Sequence, residues 1–201
     1  LRLCLARVSK WGVRTFGSPP NPVAESRNWS AKRNRMLGFV AVAAETARMT
    51  GPGVSGAAPA VLGLGMMQSS RSDGAAVRLK GIDSNLEPNV TEIKGALVLG
   101  SLEALSRRPP DARDGVILGV DLAQSLGVTV GDAVTLVTPR GVLTPGRVVP
   151  MTRHYEVVGI ARFGYYETDS SAAFVTLQSA ARALGRDGPD LIQLRLADMN
   201  E

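Results

Sequence analysis

Beyond residue 53 the apolar positions fall into short runs of strand length, and two of these runs hand over directly to a helical spacing. The clearest example is Gly115–Thr138, GVILGVDLAQSLGVTVGDAVTLVT. Val116, Ile117 and Leu118 lie between Gly115 and Gly119, which suits a buried strand. Asp121 is placed to cap a helix whose Leu122 and Leu126 share one face. Gly127 follows the last helical residue, where a left-handed φ is needed, and Val128 can fold back on the helix. Val130-Gly131-Asp132 then turns the chain into Ala133–Val137, a run of β-formers. Ala172–Gly185 repeats the arrangement. Thr176 is the expected N-cap, Leu177, Ala180, Ala181 and Leu184 follow the i, i+3, i+4, i+7 spacing, and Gly185 closes the helix.

The remaining runs read as strands. Val61–Met67 is interrupted by Gly63 and Gly65, a spacing read as a bulge or close backbone packing, since no helix start follows it to hold a phosphate. Ala75–Ile82 sends Val77 and Leu79 one way and Arg78 and Lys80 the other, and the turn Arg71–Gly74 joins the two runs as a hairpin. Asp83–Arg108 is irregular, with a short helical piece around Leu102–Leu105. Pro109-Pro110-Asp111 breaks the chain before the next strand. His154–Ala161 places Tyr155, Val157 and Gly159 on one face, and Leu191–Leu196 places Ile192, Leu194 and Leu196 inward. The prolines of Pro139–Met151, PRGVLTPGRVVPM, remove backbone donors, so this stretch is read as a projecting loop or irregular hairpin. The pattern predicts an α+β fold of about seven strands and two to three helices. The two strand–helix units form a split βαβ lobe and the other strands a β-rich lobe.

Charge divides the chain. Residues 1–50 carry nine Lys/Arg and two Asp/Glu, hence +7, which leaves −2 for residues 51–201 out of the total of +5. A near-neutral body argues against nucleic-acid binding, which calls for a basic face. Residues 1–50 show no lasting period and are read as an irregular basic segment, poorly ordered or of non-native sequence; residues 51–201 are read as the folded domain. Met36–Ala44 is too short to cross a membrane, which takes about 20 residues. After Lys32-Arg33-Asn34-Arg35 it has the size of a signal-peptide apolar core; a short amphipathic helix and disorder are the other readings.

Candidate chemistry is sparse. One cysteine, Cys4, rules out an internal disulfide framework and a cysteine metal site. The single histidine, His154, has no neighbouring partner and reads as a partly exposed strand residue. Glu167 and Asp169, two apart beside hydroxyls, suit a cation or an acid/base pair, yet a strand-entry turn uses the same residues for Asx-type hydrogen bonds, and that reading is preferred. Ser55, Ser101 and Ser171 lack a nucleophile-elbow context. No enzymatic activity, cofactor or metal is expected.

Four blocks carry a resemblance. Gly95–Leu105 ends in Gly-Ser-Leu-Glu-Ala-Leu, and Gly115–Val134 holds the strand–helix–turn with Leu-Gly-Val and Gly-Asp. Leu143–Ile160 pairs a Pro/Gly-Arg loop with a strand ending in Gly-Ile, and Tyr165–Gly185 runs from Tyr-x-x-x-Asp into a strand and a Leu-x-x-Ala helix. In this order and spacing they resemble the periplasmic core domain of MacB-type ABC-transporter permeases, and most closely the lipoprotein-releasing permeases of the LolC/LolE kind. The position of Tyr155 is commonly Phe there, and the Gly146-Arg147 pair is shifted against the proline pattern. The family's flanking membrane helices are not found in these residues.

The resemblance implies a domain in the periplasm of a bacterial inner-membrane permease without an active site of its own. It implies a cytoplasmic ABC ATPase subunit, a second permease subunit, lipoprotein cargo and a periplasmic lipoprotein carrier as partners. The alternatives are a MacB-like efflux or FtsX-like signalling permease and a stand-alone soluble binding domain. The matching loop in the LolC kind hooks the carrier. By that resemblance the role would fall here to Arg140, Val142, Leu143, Pro145, Arg147, Val148, Pro150 and Met151; the other reading is a plain connecting hairpin whose valines pack on its own domain. The prolines limit the entropy lost on binding, the arginines offer planar multi-donor contacts, and the apolar residues have little reason to face solvent.

Overall fold

Among the described residues there are nine strands, in chain order β1 (Leu3–Arg7), β2 (Val54–Gln68), β3 (Ala75–Ile82), β4 (Leu97–Gly100), β5 (Asp114–Gly119), β6 (Ala133–Thr144), β7 (Arg147–Ala161), β8 (Ala172–Thr176) and β9 (Leu191–Leu196). Four α-helices intervene among the described residues: α1 (Ile93–Ala96), α2 (Val120–Leu126), α3 (Tyr166–Asp169) and α4 (Leu177–Leu184). This computed structural model describes residues 3–7, 54–107, 109, 112–144 and 147–196, with the backbone alone at 3–7, 140–144 and 147–149.

The sheet runs β1-β9-β2-β3-β8-β5-β7-β4, and β6 pairs with both β2 and β7. The strands β2-β3-β8-β5-β7-β6 therefore close into a circuit. Its inside holds Val61, Val77, Leu79, Val116, Leu118, Leu136, Tyr155 and Val175, packed with Leu122 and Leu126 of α2 and Leu177 and Leu184 of α4. Its outside, over β5, β7 and β8, holds Ile117, Val158 and Phe174 under Ile93, Leu102 and Leu105. The central strand β5 is thus buried on both faces, which is why it reads as a continuous apolar run rather than an alternating one.

Local chemistry fixes the two strand–helix units. Gly127 sits at φ +65° and Gly185 at φ +60°, and Val128 N–H reaches back to Ala123 O at 3.0 Å, closing α2 as expected. Thr176 caps α4 by accepting from Ser179 N–H at 3.3 Å. Gly63 and Gly65 are close-packing glycines. A Cβ at Gly63 would lie 2.4 Å from Leu184 Cδ1, and one at Gly65 2.8 Å from Leu136 Cδ1. The β2–β3 hairpin forms with Val77 and Leu79 inward.

Several expectations are corrected. Asp121 lies within the first turn of α2, whose N-cap is Gly119 with no side-chain cap. Gly159 does not share a face with Tyr155 and Val157. The β5–β7 register shifts between Val116 and Ile117, leaving Val158 as an extra residue, and a Cβ at Gly159 would meet Ile117 on the opposite face. Leu196 is 37% exposed, whereas Gln193 is buried. Two strands were not anticipated. β4 is only four residues long, and β1 comes from the basic segment and pairs antiparallel with β9. The rest of that segment, residues 1–2 and 8–50, lies outside the described residues, and with it the Met36–Ala44 run.

Candidate functional site

The stretch from Pro139 to Met151 is the outer half of the β6–β7 hairpin. Thr138 pairs with Met151, and the register then shifts, so that Pro139 and Arg140 form a bulge before Gly141 pairs with Pro150. Val142 pairs with Val149, Leu143 with Val148, and Thr144 with Arg147. The bulge accounts for the tolerance of Pro139 in a strand, because a bulged residue need not donate to the ladder.

Inward of this ribbon the hairpin is held on both flanks. β2 pairs with β6 from Thr135 to Val137, and β5 pairs with β7 from Tyr155 onward. Among the described residues, the two strands beyond Thr138 and before Met151 pair only with each other, as a two-stranded ribbon beyond the closed circuit. Its base is pinned by Thr138, whose hydroxyl lies 3.3 Å from both Met151 O and Ala183 O. Pro150 is exposed and Met151 half-buried. For Arg140, Val142, Leu143, Arg147 and Val148 the backbone is described but not the side chain, and Pro145 lies outside the described residues.

The other candidate residues have structural partners. Asp169 is buried, and its Oδ1 and Oδ2 accept the backbone N–H groups of Phe163 and Gly164 at 2.7 and 3.0 Å. Glu167 is exposed, and its backbone oxygen accepts from Arg78 and from Ser171 Oγ. The pair is a turn-forming device rather than an acid/base couple. His154 is exposed, with Nδ1 3.1 Å from Thr135 Oγ1. Ser55 Oγ donates to Arg195 O, and Ser101 Oγ accepts from Ala104 N–H. Among the described residues no three His, Cys, Asp or Glu side chains converge as metal ligands.

Two polar clusters were not foreseen. Tyr155, fully buried in β7, lies 3.0 Å from Ser179 Oγ, which is 2.7 Å from Asp114 Oδ2. A carboxylate only accepts, so Ser179 O–H donates to Asp114 and Tyr155 O–H donates to Ser179. Arg182 Nη2 completes the chain at 2.8 Å from Asp114 Oδ2. Burial pushes the Tyr155 phenol up from its ordinary value, partly offset by Ser179. The second cluster pairs Lys80 with the fully buried Glu87, which also accepts from Thr91 Oγ1 at 3.0 Å. Lys80 also donates to Gln193 Oε1 at 3.1 Å. The sequence signal for this pair was weak: Lys80 read as a solvent-facing strand residue, and Glu87 fell in the irregular stretch.

The chain belongs to the MacB-like periplasmic core domain family, whose model matches residues 9–201 and so takes in most of the basic segment. It is 37% identical over 144 residues to the lipoprotein-releasing system transmembrane protein LolC of Neisseria meningitidis serogroup B, covering 72% of this chain and 33% of that protein. To LolC of Xylella fastidiosa (strain 9a5c) it is 33% identical over 152 residues, covering 76% of this chain and 35% of that protein. The chain thus spans about a third of the length of these relatives. Its fold is similar to the periplasmic region of MacB from Actinobacillus actinomycetemcomitans, at a TM-score of 0.52 and 11% identity over 80% of this chain and 66% of that one. Among the described residues no helix is long and apolar enough to cross a membrane.

Proposed function

We propose that this chain is the non-catalytic periplasmic part of an inner-membrane permease that releases lipoproteins and passes them to a periplasmic carrier. The observation that carries the reading is the ribbon at Pro139–Met151, which leaves the closed circuit; by resemblance this segment would match the carrier-hooking loop of LolC-type permeases. The identity to LolC proteins supports the lipoprotein-releasing class over an efflux or signalling permease. Coupling to a cytoplasmic ATPase subunit and pairing with a second permease subunit belong to the same proposal.

The ribbon is suited to capture for physical reasons. A paired backbone carries less conformational freedom into binding than an open loop. Its prolines and arginines add further restriction and planar donors. The test is a pull-down of the periplasmic carrier by this chain, comparing wild type with Arg147→Glu and Pro145→Ala. Charge reversal is expected to abolish capture and leave the unfolding curve intact, with Pro145→Ala weaker than wild type. Equal capture by all three proteins would remove the ribbon as the contact.

A further inference from the structure

The outer face of β2 inverts the usual pattern. Where a sheet faces solvent, polar residues are expected. Here Leu62, Leu64 and Met66 point outward at 42%, 67% and 47% exposure. Their cross-strand partners on β3 are Lys80, Arg78 and Ala76, and the next strand places Phe174 beside Lys80 and Ala172 beside Arg78. Phe163 stacks on Phe174 with ring centroids 5.5 Å apart. Of these, Leu62, Leu64, Arg78, Lys80, Phe163 and Phe174 line a cleft of about 670 Å³. That is the size of a small-molecule site, which spans roughly 300–1,000 Å³, and such sites are lined mainly by apolar side chains with a few fixed polar groups.

The two cations of the cleft differ. Lys80 is neutralised by Glu87, and its Nζ sits 6.0 Å from the Phe174 ring centroid. Arg78 hydrogen-bonds only neutral acceptors among the described residues, Ser171 Oγ at 3.0 Å and the Glu167 carbonyl oxygen, and meets no carboxylate there. Among the described residues, then, no acid pairs with it at the Thr168 end of the cleft. Among the described lining residues the one acid, Glu92, follows Thr91 at the opposite, Lys80 end. The cleft thus has an apolar floor and one end that favours an anion.

We infer that this cleft binds a membrane phospholipid, with an acyl chain along Leu62, Leu64 and Phe174 and the phosphate at Arg78. The described lining residues lie on β2, β3 and β8 and in the stretches holding Thr91, Glu92, Phe163 and Thr168.

The test uses the 201-residue chain and three probes: dihexanoyl-phosphatidylglycerol, dihexanoylglycerol with the same chains and no charge, and glycerophosphoglycerol, the head alone. Amide shifts in an NMR titration should saturate with the phospholipid and map to Leu62, Leu64, Arg78 and Phe174. Dihexanoylglycerol should bind more weakly and the head alone weaker still. Arg78→Gln should lower phospholipid affinity about tenfold and leave dihexanoylglycerol binding unchanged, while Arg78→Lys retains most of the affinity. Leu64→Gln, at an exposed position, should weaken both chain-bearing probes without shifting the thermal midpoint. The inference is overturned by unsaturable shifts, by shifts mapping outside the cleft, by equal binding of the head alone, or by an Arg78→Gln protein that binds phospholipid like wild type. It is equally overturned if the chain self-associates through this face, seen as a dimer in sedimentation that Leu64→Gln disperses.

Discussion

The Tyr155 hydroxyl lies 3.0 Å from Ser179 Oγ, and this contact fastens helix α4 to the inner wall of the closed circuit. Asp114 and Tyr155 are register partners on β5 and β7, so Ser179 bridges two neighbouring strands from above. Ser179→Ala strands the tyrosine donor inside the core and should cost about 1–3 kcal/mol. Tyr155→Phe leaves only a serine lone pair unmet and should cost less. The double variant removes the donor together with its acceptor, so it should be no less stable than Ser179→Ala alone. Urea denaturation of the three variants checks the order, and strictly additive losses would show that the two groups do not interact.

The same tyrosine gives the stability curve an alkaline limb. Its folded phenol ionises above the ordinary value of 10.0 because burial disfavours the phenolate. A group raised in this way contributes stability that is complete below the unfolded value and is lost as pH rises from there toward the folded value. Stability should therefore fall above about pH 10, and Tyr155→Phe should flatten that limb while leaving the neutral region parallel. Chemical denaturation at a series of alkaline pH values reads this directly; an unchanged slope in the variant would assign the alkaline loss elsewhere.

Much of the fold was legible because its period is local. The two strand–helix units, their glycine closures, the Thr176 cap and the inward Val77 and Leu79 all follow from spacing within a dozen residues. What was not legible depends on partners far along the chain. The closed circuit exists because β6 meets β2 across some seventy residues at Met66 and Val137. Gly159 changes face because a bulge at Val158 resets the count. Leu196 lies at the exposed end of β9 although its alternation points inward. The outline of the candidate ribbon was legible from its prolines. The apolar cleft was not, because Leu62, Leu64 and Met66 look like core residues until the glycines between them are seen to face the interior.

Asp169 offers a direct contrast between a structural turn and a cation site. Both carboxylate oxygens are occupied by the backbone N–H groups of Phe163 and Gly164. Asp169→Ala leaves two donors unmet and should cost about 2–4 kcal/mol. Asp169→Asn keeps one acceptor and should cost roughly half as much. Excess calcium should leave the thermal midpoint of the wild type where it is. A calcium-dependent rise that Asp169→Asn abolishes would restore the cation reading.

A chain starting at residue 51 tests the role of β1. The pattern alone predicts that it folds as well as the full chain, and the buried core members among the described residues do begin at Ala57. The pairing of Leu3–Arg7 with Leu191–Arg195 adds a term, since truncation removes one of the two neighbours of β9. Unfolding should stay cooperative with the midpoint lowered, by an amount within about 2 kcal/mol. Loss of cooperativity on truncation would show that residues 1–50 pack into the core.

The ribbon itself can be removed without cutting the circuit. Thr138 and Met151 are direct register partners, so replacing residues 139–150 with Asn-Gly closes the hairpin at a paired position with a favoured two-residue turn. Among the described residues the excised pairs form ladder bonds with no third strand, and a two-stranded ribbon in water is at best marginally stable on its own. The shortened chain should therefore unfold within about 1 kcal/mol of the wild type, because both packed faces and the Thr138 anchor are retained. If the ribbon is the carrier's contact, the same protein should lose carrier capture entirely, a stronger result than any single substitution can give. Circular dichroism melts and the pull-down, run on one preparation, separate the two effects. A folded, ribbonless chain that still captures the carrier would place the contact on the body of the domain.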